Sequence, residues 1–148
     1  MADSDLHLKG FSLVSANMRV NVNLNRLNEN LYRAQFALDT QIMNDMIPYM
    51  PMNTGTLIQV TRAKSAATAG TGMVCAAAAP YGRFQYYGKV MVDPQTNSPW
   101  ARKGAKKIVT DRPLDYSNPK AQPEWFQVAK DKNLNKWVQK VKNKVGGR

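Results

Sequence analysis

Histidine and cysteine are almost missing from this chain, with one of each among 148 residues. A lone Cys75 excludes an intramolecular disulfide, and with only His7 to accompany it no zinc-ligand spacing can be drawn. Such cysteine usage fits assembly in a reducing compartment. No phosphate-cradling glycine loop occurs either, because the Gly-Thr-Gly at 70–72 lacks the continuation that motif needs. Catalysis therefore has little to stand on. His7 has no neighbouring nucleophile, and Cys75 lies in an alanine-rich apolar run that favours an inert thiol. Asp111 and Asp115 sit in a proline-containing turn, and the segment Asp93–Asn97 offers too few oxygen ligands for a cation. The expectation is no enzyme, no cofactor, no metal and no small-molecule substrate.

Long apolar runs are also lacking. The longest uncharged stretch, residues 65–82, is built mainly of Ala, Gly, Ser and Thr and is too weakly apolar to span a membrane. The opening MADSDLHLKG carries acids where a signal peptide would be apolar. A protein without a membrane partner is expected. At this length the chain matches one domain with a single core.

Acids are scarce relative to bases, and unevenly so. Residues 1–100 hold eight Lys/Arg against six Asp/Glu, whereas residues 101–148 hold thirteen against four, so the net charge of +11 divides into +2 and +9. A field concentrated in the last third points to a polyanionic neighbour, either nucleic acid or an acidic protein surface. A well-hydrated lysine-rich helix is the plainer account of the terminal lysines.

Periodicity supplies the elements. Residues 8–20 alternate loosely and are expected to form an N-terminal strand within an arm spanning 1–22. Leu24, Leu27, Leu31, Ala34, Leu38, Ile42 and Met46 recur at steps of three and four, which predicts a long helix over 23–47 ended by Pro48 and Pro51. Asn53, Thr54 and Gly55 then supply a turn. Residues 57–92 are expected to form antiparallel strands, with a hairpin loop at 69–72 and with Phe84 and Tyr86 inward on the last strand. Proline and asparagine make 93–122 an extended irregular loop. A C-terminal helix is expected over 123–145, with Pro123 in its first turn and Phe126, Ala129, Leu134, Trp137, Val138, Val141 and Val145 as its apolar stripe. The fold class is α+β, a single domain with a small antiparallel sheet.

Two clusters stand out as candidate binding groups. In PYGRFQYYGK (80–89), cations alternate with aromatics that could stack bases or fill a protein contact. The ARKGAKK run (101–107) places Arg102, Lys103, Lys106 and Lys107 within six positions, suited to phosphates or to an acidic protein.

Three patterns in fixed order carry a resemblance: P-x-x-T-G-x-L from Pro51 to Leu57, Y-x-x-x-x-Y-Y-G from Tyr81 to Gly88, and N-P-x-A followed by W-F from Asn118 to Phe126. Across roughly residues 23–143 the chain resembles the minor capsid proteins of tailed bacteriophages with long non-contractile tails, related to head–tail joining and tail-completion proteins. The resemblance implies a structural subunit of the virion neck, assembled in the host cytoplasm and arranged as a sixfold or twelvefold ring around the DNA channel. Its partners would be neighbouring neck, head and tail proteins, with non-specific contact to genomic DNA. Arg83, Tyr86, Tyr87, Lys89 and Trp100 are then the protein-interface candidates, and Arg102, Lys103, Lys106 and Lys107 those for DNA or an acidic partner. The alternative is a small basic DNA- or RNA-binding protein.

Overall fold

A computed structural model describes residues 7–78 and 82–146, so Pro80 and Tyr81 of the aromatic stretch and the terminal Gly147 and Arg148 lie outside the described residues. The α+β class stands. Four α-helices and two two-stranded antiparallel sheets are present among the described residues. A hairpin, β1 (Phe11–Ser15) and β2 (Met18–Val22), leads into α1 (Asn25–Met46). After a single 3-10 turn come α2 (Thr56–Ala67), α3 (Gly82–Tyr87), β3 (Lys89–Val92), β4 (Ile108–Pro113) and α4 (Trp125–Val145).

Helix α1 forms where its apolar period predicts, and α4 packs antiparallel along it. Asn30 meets Val145 at one end of the seam, while Asp45 meets Trp137 towards the other. The core lies at that second end. Met43, Met46 and Met50 surround Trp125, Ala129, Trp137 and Ile58, all buried. Both buried indoles have hydrogen-bond partners, as buried tryptophans require. Trp125 Nε1 donates to Ala76 O at 2.8 Å, and Trp137 Nε1 donates to Asp45 Oδ2 at 2.7 Å.

Several expectations are overturned. The strand expected from residue 57 is α2. Its buried positions are Ile58, Thr61 and Ser65, a helical spacing hidden because two of the three are hydroxyls. Those hydroxyls are spent on the alanine segment. Thr61 Oγ1 accepts from Ala78 N at 3.3 Å, and Ser65 Oγ accepts from Cys75 N at 3.1 Å while donating to Cys75 O at 3.2 Å. The segment 74–78 is thereby held by α2 without being a strand. The loop at 69–72 exists, yet it follows a helix. Gly70 N and Gly72 N donate to the buried carboxylate of Asp39 at 2.8 and 3.0 Å.

The strand expected at 80–89 is α3 where it is described. Gly82 opens it where a Cβ would lie 2.8 Å from the Ala77 carbonyl carbon, and Gly88 leaves it at φ +63°. Only β3 survives of the strands expected over 57–92, and β4 lies inside the segment expected to be irregular. The single N-terminal strand is instead a hairpin that reverses at Ala16–Asn17. In α4, Pro123 precedes the N-cap Glu124 and does not occupy the first turn. Leu134 and Val138 are exposed, because the seam with α1 runs through Ala129 and Trp137 on the adjacent face.

Replacing Trp125 with alanine removes the largest fully buried side chain and leaves Ala76 O without its donor. An expected loss of about 3–5 kcal/mol is measurable as a lower denaturant midpoint. Val138→Ala is expected to change stability by no more than about 0.5 kcal/mol, since that side chain faces solvent.

Candidate interaction surface

Asp93 organises the connection between β3 and β4. Its side chain is wholly buried, and its carboxylate accepts four hydrogen bonds. Gln95 N donates to Oδ1 at 2.8 Å, and Arg102 donates its backbone N–H at 3.1 Å and Nε at 2.8 Å to Oδ2. A further guanidinium nitrogen of Arg102 reaches Oδ1 at 3.2 Å, completing a two-pronged fork. Around this hub the backbone turns tightly. Asp93 N donates to Ser98 O and Asn97 N to Asp93 O, both at 2.9 Å, with Asn97 at φ +55°. The first part of the segment read from sequence as irregular, residues 93–102, is therefore ordered around one carboxylate.

The fork fixes the ionisation of both groups. The Arg102 guanidinium and the backbone N–H groups hold the Asp93 carboxyl well below the usual carboxylate range. Asp93 in turn raises the basicity of Arg102.

On this ordered loop Trp100 is 86% exposed. Lys103, Lys106 and Lys107 are exposed as well, and no salt bridge reaches them among the described residues. Arg102, grouped with them in the sequence, is committed to Asp93. The remaining candidates separate in the same way. Tyr86 packs edge-on against Trp125 at 4.9 Å between ring centroids, and its carbonyl accepts from Glu124 N at 2.7 Å. Burial, then the neighbouring Glu124 and Tyr87, raise its phenol. Tyr86 thus serves the core boundary. Tyr87, in edge contact with it, is about half exposed, and Arg83 is exposed. Lys89 is half-buried, with Nζ 3.5 Å from Asp111 O across the β3–β4 pair.

Part of the lysine face expected on α4 is used internally. Lys132 Nζ lies 4.6 Å from the Tyr49 ring centroid, Lys136 Nζ pairs with Asp45 Oδ1 at 3.3 Å, and Lys140 Nζ donates to Gln41 Oε1 at 2.6 Å. Their four-residue spacing lays them along the α1 seam, each keeping a charged head near water.

Two features were missed from sequence. One is a groove of about 660 Å³ beyond the C-terminal end of α1, walled by Pro51, Leu57 and Val60, with Asp115 as its one charged lining residue. Most of the P-x-x-T-G-x-L pattern lines one wall, and the facing wall comes from Gln85 and Tyr116 far along the chain. The other is the β1–β2 hairpin, whose apolar face is solvent-exposed. Among the described residues no group of three His, Cys, Asp or Glu is placed to hold a metal, and no helix is long and apolar enough to cross a membrane.

These features define a class: a small α+β protein that presents aromatic, apolar and cationic groups outward from a fixed framework. The family model described as minor capsid protein matches residues 16–145. The chain belongs to the minor capsid protein family and is a structural protein of a bacteriophage particle. No curated protein and no solved structure gives a match.

The Asp93 hub makes loop order depend on pH in one direction. Because its pKa is lowered on folding, its contribution is fully present above the ordinary carboxylate range and is lost only as pH falls through the depressed folded value. Amide exchange at Gln95 and Arg102 is expected to stay slow down through mildly acidic pH. Arg102→Ala is expected to speed it at neutral pH and to free the Trp100 indole, read by fluorescence anisotropy.

Proposed function

We propose that the chain is a head–tail connector subunit of the virion neck, forming a closed ring with further copies and joining head to tail around the DNA channel. The observation that carries this reading is Trp100, an 86% exposed indole on a loop that the buried Asp93 carboxylate and its Arg102 partner hold in place. A large aromatic presented on a preordered segment loses little conformational freedom when a partner covers it, which is how anchor residues at protein contacts gain their energy. Tyr87 and Arg83 extend that contact, and membership in a structural virion family makes neighbouring virion proteins its partners. The work of such a subunit is docking, with no reaction catalysed.

A second role rests on Lys103, Lys106 and Lys107, exposed cations beside the same indole. Facing a lumen they would meet phosphates of the passing genome without reading sequence. A self-standing DNA- or RNA-binding protein would use the same lysines and stack bases on Trp100.

Trp100→Ala is expected to leave the purified protein folded and to reduce particle joining, leaving filled heads and free tails visible by electron microscopy. Normal virions from this variant, or density for the protein away from the neck, would refute the connector reading. In gel shifts with duplex DNA the isolated chain is expected to bind weakly. Tight binding that falls steeply between low and physiological salt would favour the nucleic-acid-binding alternative.

A further inference from the structure

Residues 89–113, the β3–β4 pair and the loop between its strands, form a unit that stands apart from the helices. Among the described residues, every hydrogen bond and salt bridge made by this segment stays inside it. The strands pair with each other, Thr110 Oγ1 donates to Val90 O at 2.7 Å, and the Asp93 carboxylate gathers the loop as far as Arg102. Val92 is wholly buried, yet it does not belong to the methionine–tryptophan core, and no hydrophobic residue of 89–113 is among those packed against that core. Strand β4 packs appreciably on β3 alone, and β3 on β4 and the preceding α3. The segment holds itself together.

The chain on either side is tied down by contrast. Asn118 Nδ2 donates to Met50 O at 3.2 Å, Gln122 N to Tyr49 O at 3.1 Å and Glu124 N to Tyr86 O at 2.7 Å, so residues 118–124 belong to the helical body. The chain passes between body and segment at two adjacent points, leaving at Gly88 and returning at Leu114. One backbone bond, Leu114 N to Gly88 O at 2.8 Å, spans them. Gly88 sits at φ +63°, a region open chiefly to glycine, and a Cβ there would lie 2.9 Å from Pro123 Cβ. Just beyond it the β3–β4 ladder is irregular between Lys89 and Met91. A narrow joint of this kind, with no core contact beyond it, lets a few residues absorb the change of backbone angle when two units move.

From this geometry we infer that residues 89–113 are an arm that tilts as one body about the Gly88–Leu114 joint. Strand β3 carries the loop about 13 Å from that joint at strand rise, so a modest tilt becomes a displacement of several ångströms at Trp100. Because the Asp93–Arg102 fork travels with the arm, the loop around Trp100 keeps its shape while its place relative to the helices changes. Docking then costs the freedom of one joint rather than that of each loop residue. A preformed surface can thereby reach partners at more than one spacing. What the arm meets rests on the connector reading; the motion is a property of the purified chain.

Spin labels are attached to pairs of cysteines in a full-length Cys75→Ser background, and distances are read by double electron–electron resonance. Lys103→Cys with Lys142→Cys spans arm and body, Arg62→Cys with Lys142→Cys lies within the body, and Lys103→Cys with Arg112→Cys lies within the arm. All four side chains are exposed. Hinge motions on the microsecond to millisecond scale are trapped by freezing as a spread of distances, and the arm–body distribution is expected to be about twice as wide as either control. An arm–body distribution as narrow as that of the body pair would overturn the inference. So would an arm pair as broad as the arm–body pair, which would make the loop loose within itself. Gly88→Ala is then added to each pair and is expected to shift the arm–body mean while both control means stay in place, since the new Cβ meets Pro123 at the joint. An unmoved arm–body mean with folded controls would put the pivot elsewhere and overturn the joint; if this variant does not fold, the widths measured with Gly88 in place decide. A rigid arm in a chain whose Trp100→Ala variant still fails at particle joining would remove the motion and keep the connector reading. A tilting arm in a chain that joins particles normally without Trp100 would do the reverse.

Discussion

The carboxylate of Asp45 holds the two long helices together. It accepts the Trp137 indole N–H at 2.7 Å and the Lys136 ammonium at 3.3 Å, and Gln41 of its own helix donates to it at 2.9 Å. Because α1 and α4 lie far apart in sequence, this group, with the Lys140–Gln41 and Asn30–Val145 bonds farther along the seam, sets two amphipathic helices side by side, against which the methionine-rich core can close. Removing it would leave the indole donor of the buried Trp137 unsatisfied, which costs more than the bond contributes.

Asp45 is one of three acids used in this way. Asp39 receives two loop N–H groups and the Gln35 amide, and Asp93 receives the fork from Arg102 and its backbone bonds. With ten acids against twenty-one bases in the chain, only Arg33, Arg102 and Lys136 are salt-bridged among the described residues. The positive field of the last third is set by composition: all three of these acids lie in residues 1–100, while residues 101–148 hold thirteen bases against four acids.

What could be read directly from the sequence follows from this division. Helices α1 and α4 were legible because apolar residues recur with helical period over some twenty residues each. Helix α2 was not, because Thr61 and Ser65 do on its inner face what apolar residues do elsewhere, and their backbone partners lie ten and seventeen residues onward. Strand β4 was hidden by exposure: Ile108 and Val109 face solvent beside Asp111 and Arg112, so no alternation marks it. The cation cluster was legible as composition. That Arg102 commits its guanidinium to Asp93 while Lys103, Lys106 and Lys107 have no salt bridge among the described residues depended on a carboxylate nine positions away. Tyr86 and Tyr87 look equivalent as neighbours in a sequence, but a helix turn sends one against Trp125 and leaves the other outside.

The methionines carry a consequence of their own. Of eight thioethers in the chain, those of Met43, Met46 and Met50 are sealed in the core, whereas those of Met18, Met52 and Met73 stand in solvent. Peroxide attacks accessible sulfur first, and the resulting sulfoxide is polar and bulkier than its parent. Oxidative ageing is thus graded: the outer sulfurs absorb damage while the body persists, and a sulfoxide at an inner position records that the helices had once come apart.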